Sequence, residues 1–147
     1  MPTTWILIAD RGGARLFAHR GRSTGLQLIE EIPHPEGRLK NGDINADKHG
    51  RAFDSKGAGR HAMSTSQEPT AQVSTRFAKQ LSERLEHGAH QNEFDRLILA
   101  AAPRFLGDLR GSLGDNSSSR LTTTLNKDLS GVDERDLPGH FSDILPL

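Results

Sequence analysis

There is no cysteine among the 147 residues. That excludes a disulfide framework, a thiolate nucleophile and cysteine-ligated zinc, and it accords with a reducing compartment. Long apolar runs are missing too. No stretch approaches the roughly 20 residues of a membrane span, and the first residues hold no basic-then-apolar leader with a cleavage site. A cytoplasmic protein without a membrane partner is the expectation. Nor does one sign of charge dominate: 19 Lys and Arg balance 19 Asp and Glu. No global field therefore steers the chain to nucleic acid or an anionic membrane, and any basic surface must be local. Apolar residues are sparse, at 33% with a mean hydropathy of −0.60. They suffice for one domain over 1–147, with a small core and a substantial solvated segment.

What is present begins with Trp5-Ile6-Leu7-Ile8-Ala9-Asp10, an unbroken apolar run closed by Arg11-Gly12-Gly13. A run buried on both faces reads as a central strand, and it is too short for a buried helix. Ala14 to His19 makes a hairpin partner, and Leu26 to Ile32, stopped by Pro33, makes a third strand. Order then lapses. From residue 36 to 69 no period survives, and a stretch this long is either functional or disordered. Val73, Phe77, Leu81 and Leu85 next fall on one stripe of an amphipathic helix, with Gly88 as its expected C-terminal cap. Leu97 to Ala101 reads as a second buried strand. Pro103 opens a helix with Phe105, Leu106, Leu109 and Leu113 on one face. Leu121-Thr122-Thr123-Thr124-Leu125 suits a strand, and Asp133-Glu134 starts a last short helix with Leu137 and Phe141 facing in.

A meander followed by helix-then-strand units predicts an α/β sheet of about five strands with about three helices. Right-handed crossovers set strands four and five parallel to the first, giving order 3-2-1-4-5, the ribonuclease-H-like arrangement.

Chemistry is harder to find. Asp10 ends the central strand, where open α/β sheets place ligands. A two-metal nuclease would need further carboxylates at the end of strand four, but that strand ends in Ala100-Ala101-Ala102-Pro103. Asp10 reads instead as a turn former or a partner of Arg15, and Glu83 and Glu86 as solvated residues of a polar helix face. His87 and His90 flank Gly88, and His49 and His61 lack a carboxylate at ligand spacing, so no metal and no cofactor are expected. Gly57-Ala58-Gly59-Arg60 lacks the Lys-Ser/Thr of a phosphate-binding loop. The 36–69 loop remains. It carries Arg38, Lys40, Lys48, His49, Arg51, Lys56, Arg60 and His61 against Asp43, Asp47, Asp54 and Glu68. A mobile, glycine-rich, mildly basic segment can follow a phosphate backbone, although no aromatic interleaving supports base stacking. The bland alternative is a solvated excursion with no specific partner.

The hairpin Trp5…Asp10…Ala14-Arg15-Leu16-Phe17 resembles the bacterial host attachment protein family, described as required for attachment to host cells. So do Phe94-Asp95-Arg96-Leu97, Ala101-Ala102-Pro103, Leu106-Gly107-Asp108-Leu109-Arg110 and Lys127-Asp128-Leu129, in that order along the chain. That family is similar to the middle domain of archaeal and eukaryotic peptide-release factors and Pelota, which implies the ribonuclease-H-like fold. In release factors a Gly-Gly-Gln loop between meander and long helix promotes peptidyl-tRNA hydrolysis. Here Lys48-His49-Gly50-Arg51 resembles the basic flank of that motif, while Gly-Gly-Gln itself is absent.

The resemblance implies a non-catalytic domain that contacts ribosomal or transfer RNA through Lys48, His49, Arg51, Lys56, Arg60 and His61. One alternative is a divergent peptidyl-tRNA hydrolase in which Gln67 or His49 positions water. Another is a protein-interaction module.

Overall fold

The computed structural model describes residues 2–38 and 69–145. It contains one five-stranded sheet in the order β3-β2-β1-β4-β5, as the element order predicted. β1 (Thr4–Asp10), β2 (Gly13–His19) and β3 (Gln27–Pro33) form the antiparallel meander. β4 (Arg96–Ala100) pairs parallel to β1 from Thr4 with Arg96 to Ile8 with Ala100, and β5 (Leu121–Leu125) pairs parallel to β4. Among the described residues four α-helices flank the sheet: α1 (Pro69–His90), α2 (Pro103–Ser112), α3 (Asp115–Arg120) and α4 (Leu137–Phe141). Short 3-10 turns occupy Pro35–Arg38 and Glu134–Asp136. Among the described residues no helix is long and apolar enough to cross a membrane.

The unbroken apolar run of β1 serves two cores, because successive side chains of a strand point to opposite faces. Trp5, Leu7 and Ala9 lie with Leu16 and Leu99 under α1 and α2, whose Phe77, Leu81, Leu85, Phe105 and Leu109 fill that side. Ile6 and Ile8 lie on the other face with Phe17 and Ile98, covered by Leu129, Leu137, Phe141 and Leu145. Every residue from Trp5 to Ala9 is at most 3% exposed. A strand wet on one face would alternate; this one does not, because both of its faces are covered.

α1 does not stop at Gly88. It continues to His90 and ends in a Schellman motif: Asn92 adopts left-handed φ (58°), its N–H bonds to Ala89 O, and Glu93 N–H bonds to Gly88 O. Gly88 has a packing role instead. A Cβ there would lie 2.6 Å from Cη2 and Cζ3 of Trp5, so glycine lets the helix settle against the indole, which also stacks on Phe94.

Nor is Glu86 an ordinary solvated residue. Its Oε1 accepts from Ser117 N (3.0 Å) and Ser117 Oγ (3.1 Å), and its Oε2 from Asn116 Nδ2 (2.7 Å) and Asn116 N (3.3 Å). Residue 114, at the N-cap of α3, is a glycine with no side chain to cap the helix, so a carboxylate 31 residues away satisfies the first N–H groups. The Ser117 N–H, foremost, then the Asn116 amide and the Ser117 hydroxyl, hold the Glu86 carboxyl below its ordinary 4.5, against a desolvation that raises it. The depressed pKa stabilises the fold above about pH 4.5, and that contribution disappears as pH falls through the folded value. Glu86→Gln is therefore expected to cost about 1–2 kcal/mol near neutral pH. In urea titrations at several pH values, the gap between the two proteins should close in acid. A gap independent of pH would contradict the capping role.

Candidate functional site at the carboxyl end of the sheet

β1, β4 and β5 run the same way, so their carboxyl ends share one end of the sheet, where ligands of open α/β folds bind. A cavity of about 580 Å³ opens there beside β1, lined by Asp10, Arg11, Arg15, Glu31, Pro33 and Ser130 among others.

Asp10 shapes this end. Its Oδ1 accepts from Gly12 N at 2.8 Å, closing the two-residue turn between β1 and β2. Its Oδ2 lies 2.9 Å from Ser130 Oγ, which also sits 2.5 Å from Asp128 Oδ1. One hydroxyl proton thus serves two carboxylates, and the Ser130 N–H adds a second bond to Asp128 at 3.0 Å. Arg15 is not the partner of Asp10. Its Nη2 donates to the carbonyls of Leu129 (2.9 Å) and Ser130 (3.3 Å), while its guanidinium lies 5.8 Å from the Phe17 ring centre. Asp10 and Arg15 together hold the segment after β5 against the meander.

The opposite wall is the 3-10 turn. His34 N donates to Gly12 O at 3.2 Å, and His34 Nδ1 donates to Arg11 O at 2.6 Å. The carbonyl can only accept, so Nδ1 carries the proton. The His34 ring stacks on Phe77 of α1 at 4.0 Å between centres and 1° between planes. Gly37 closes the contact: a Cβ there would fall 1.6 Å from Arg11 O and 2.6 Å from His34 Nδ1. Only glycine allows the turn to approach that closely.

The sequence stretch singled out for RNA contact is attached at this end. The turn Pro35–Arg38 lies beside Arg11, and the first half of α1 reaches it through Phe77 and through the Arg76–Glu36 ion pair. The far half of α1 lies at the amino end of β1, where Gly88 meets Trp5. Residues 38 and 69 therefore both belong to the carboxyl end. Lys48, His49, Arg51, Lys56, Arg60, His61 and Gln67 themselves lie outside the described residues. Exposed Arg11, Arg104 at the start of α2 and Lys127 just past β5 share the same end.

Chemically, the described residues build a shaped, hydrogen-bonded rim. Among them no group of three His, Asp or Glu side chains is placed to hold a metal, and Ser130 has carboxylates but no histidine beside it. The sequence reading found Asp10 and its turn because an Asp-x-Gly signal is local. It missed Ser130, His34 and Gly37, whose roles depend on neighbours 23 to 120 residues away.

Comparison with known proteins adds a family. The family model described as "Protein required for attachment to host cells" matches residues 5–141. No curated protein matches. Among solved structures, one titled "Archaeal protein" is 14% identical, with a TM-score of 0.49, over 94% of this chain and 34% of that one. The archaeal translation termination factor aRF1 is also 14% identical, with a TM-score of 0.48, over 96% of this chain and 39% of its own. The chain thus spans between a third and two fifths of the length of these structures.

Proposed function

Because this chain belongs to the family of proteins required for attachment to host cells, we propose that it serves attachment indirectly, as a non-catalytic cytoplasmic domain that binds RNA, on the ribosome or as tRNA. The observation that carries this reading is that residues 38 and 69 belong to one end of the sheet, the end that also carries the cavity and exposed Arg11, Arg104 and Lys127. The sequence between them carries Lys48, Arg51, Lys56 and Arg60 against the single carboxylate Asp54 over residues 48–61. Cations concentrated in one stretch, joined to an end of the sheet that adds three more, suit a polyanion backbone.

The test is co-sedimentation with ribosomes and binding to a short single-stranded RNA. Wild type should bind at low salt and lose affinity as salt rises. The Arg51→Ala, Arg60→Ala double variant should weaken binding and lower the slope of log affinity against log salt by about 1.4, at about 0.7 per neutralised phosphate. Replacing residues 39–68 with a Gly/Ser linker should abolish it. Binding unchanged in the linker variant would overturn the reading. Peptide release from peptidyl-tRNA that depends on Gln67 or His49 would make the protein an enzyme instead, and a partner insensitive to salt would make it a protein-interaction module.

A further inference from the structure

Glu31 and Arg15 stand side by side in the register of β2 and β3, and Arg15 stands beside Ile8 in that of β1 and β2. Opposite charges in such positions ordinarily pair across strands. Here they do not. Arg15 turns its Nη2 to the carbonyls of Leu129 and Ser130, at 2.9 and 3.3 Å. The exposed Glu31 carboxylate is left without an ion pair or hydrogen bond among the described residues. Asp10, the other carboxylate lining the cavity, has both oxygens in use, on Gly12 N and Ser130 Oγ. The exposed Arg11 guanidinium also lines the cavity and is likewise unengaged among the described residues. One free two-oxygen acceptor and one free cation thus face a ligand, among apolar surface from Ile8, Ile32 and Pro33. We propose that this cavity holds a guanine nucleotide, its base on Glu31 and its phosphate on Arg11. The source of that nucleotide, a single strand of RNA, rests on the RNA reading above.

The chemistry of the free acceptor selects the base. An ionised carboxylate has two acceptor oxygens and no donor. On its Watson–Crick edge guanine presents two parallel donors, N1–H and N2–H, which the two oxygens accept together as a charge-assisted, bidentate pair. Adenine and cytosine each set an acceptor nitrogen beside their one amino group. Uracil flanks its one N–H with two carbonyls. Each of these three turns a lone pair on the second carboxylate oxygen, where guanine turns a proton. The free cation accounts for the other end of the ligand, since a guanidinium suits a phosphate. A free amino acid carries both signs as well, but it is far smaller than a cavity of about 580 Å³, which is of a size for a nucleotide. No aromatic side chain among the described residues lines the cavity to stack the base. Affinity for a single nucleotide therefore rests on the two polar pairs and is expected to be weak, with Kd about 1 mM.

Titrating the isotope-labelled full chain with GMP, AMP, CMP and UMP, and following the amide resonances of Gly12, Gly13, Glu31 and Ser130, tests the assignment. GMP should bind about tenfold more tightly than the other three. Glu31→Gln changes an exposed side chain and replaces one acceptor oxygen with a donor, so it should bring GMP down to the level of AMP. Arg11→Ala should weaken GMP about threefold and leave guanosine, which has no phosphate, unaffected. A short oligouridine with one central guanine should outcompete plain oligouridine, and lose that advantage in Glu31→Gln. If GMP alone shows the preference, the cavity assignment stands and RNA as its source falls. Equal binding of the four nucleotides, a GMP preference that survives Glu31→Gln, or free arginine bound as tightly as GMP would each overturn the proposal. Ribosome co-sedimentation that persists alongside any of those results removes this site and leaves the RNA reading in place.

Discussion

Phe77→Ala is expected to lower the stability of the domain by about 3–5 kcal/mol, the range for emptying a buried aromatic site. For a chain of this length that is a fall in melting temperature of about 6–20 °C. Phe77 is fully buried in the middle of the apolar stripe of α1, with the His34 ring stacked on one side and Phe105 of α2 at 6.1 Å between centres. Removing it takes the platform from under His34 and a wall from α2 at once. Neither neighbour can refill the space without leaving its own partner, Arg11 O in the case of His34. Thermal unfolding followed by circular dichroism measures the loss. A cost below about 1 kcal/mol would mean the site collapses freely, contrary to the packing described.

Gly37→Ala acts on the same rim from the other side. The added methyl would fall 1.6 Å from Arg11 O and 2.5 Å from Arg11 C, and both are backbone atoms. No side chain can rotate out of the way, so the 3-10 turn must lift off the β1–β2 turn. Lifting it breaks the His34 Nδ1 to Arg11 O bond and strains His34 N to Gly12 O. Overpacking at about 1–3 kcal/mol, with about 1 kcal/mol for the lost hydrogen bond, predicts a total near 2–4 kcal/mol. The damage should be local: the amide resonances of Arg11, Gly12 and His34 shift while those of β4 stay in place. Wild-type stability and unshifted resonances would contradict the close approach at Gly37.

Most of the architecture was readable because it is written in short-range patterns. The apolar run of β1, the two turns of the meander and the stripe Val73, Phe77, Leu81, Leu85 each report burial through spacing alone, and all four stripe residues are buried. Together with the handedness of crossovers they determine the strand order. What escaped depends on distant partners. Gly88 looked like a helix end because glycine usually is one there; only the position of Trp5 explains a glycine inside the helix. The helix Asp115–Arg120 escaped because Asn116-Ser117-Ser118-Ser119 are poor helix formers, and its cap is Glu86 on another helix. Asp10 was read correctly as a turn former, but its suggested link to Arg15 gave way to Ser130, a residue 120 positions on that no local pattern connects to it.

The two neighbours of β1 also set an order of assembly. β2 follows after a two-residue turn, whereas β4 joins from 92 residues further on, Thr4 beside Arg96. Hairpin closure takes about 1–10 µs. A non-local parallel pairing waits on the closure of a long loop and is the slow event in folds of this kind. In the interval, the most apolar strand of the protein has one edge satisfied and one bare. An unpaired apolar strand edge is what a growing or heated chain uses to find the wrong partner. The same run that makes β1 the centre of the finished sheet makes the nascent protein most prone to aggregate before Arg96–Ala100 arrives.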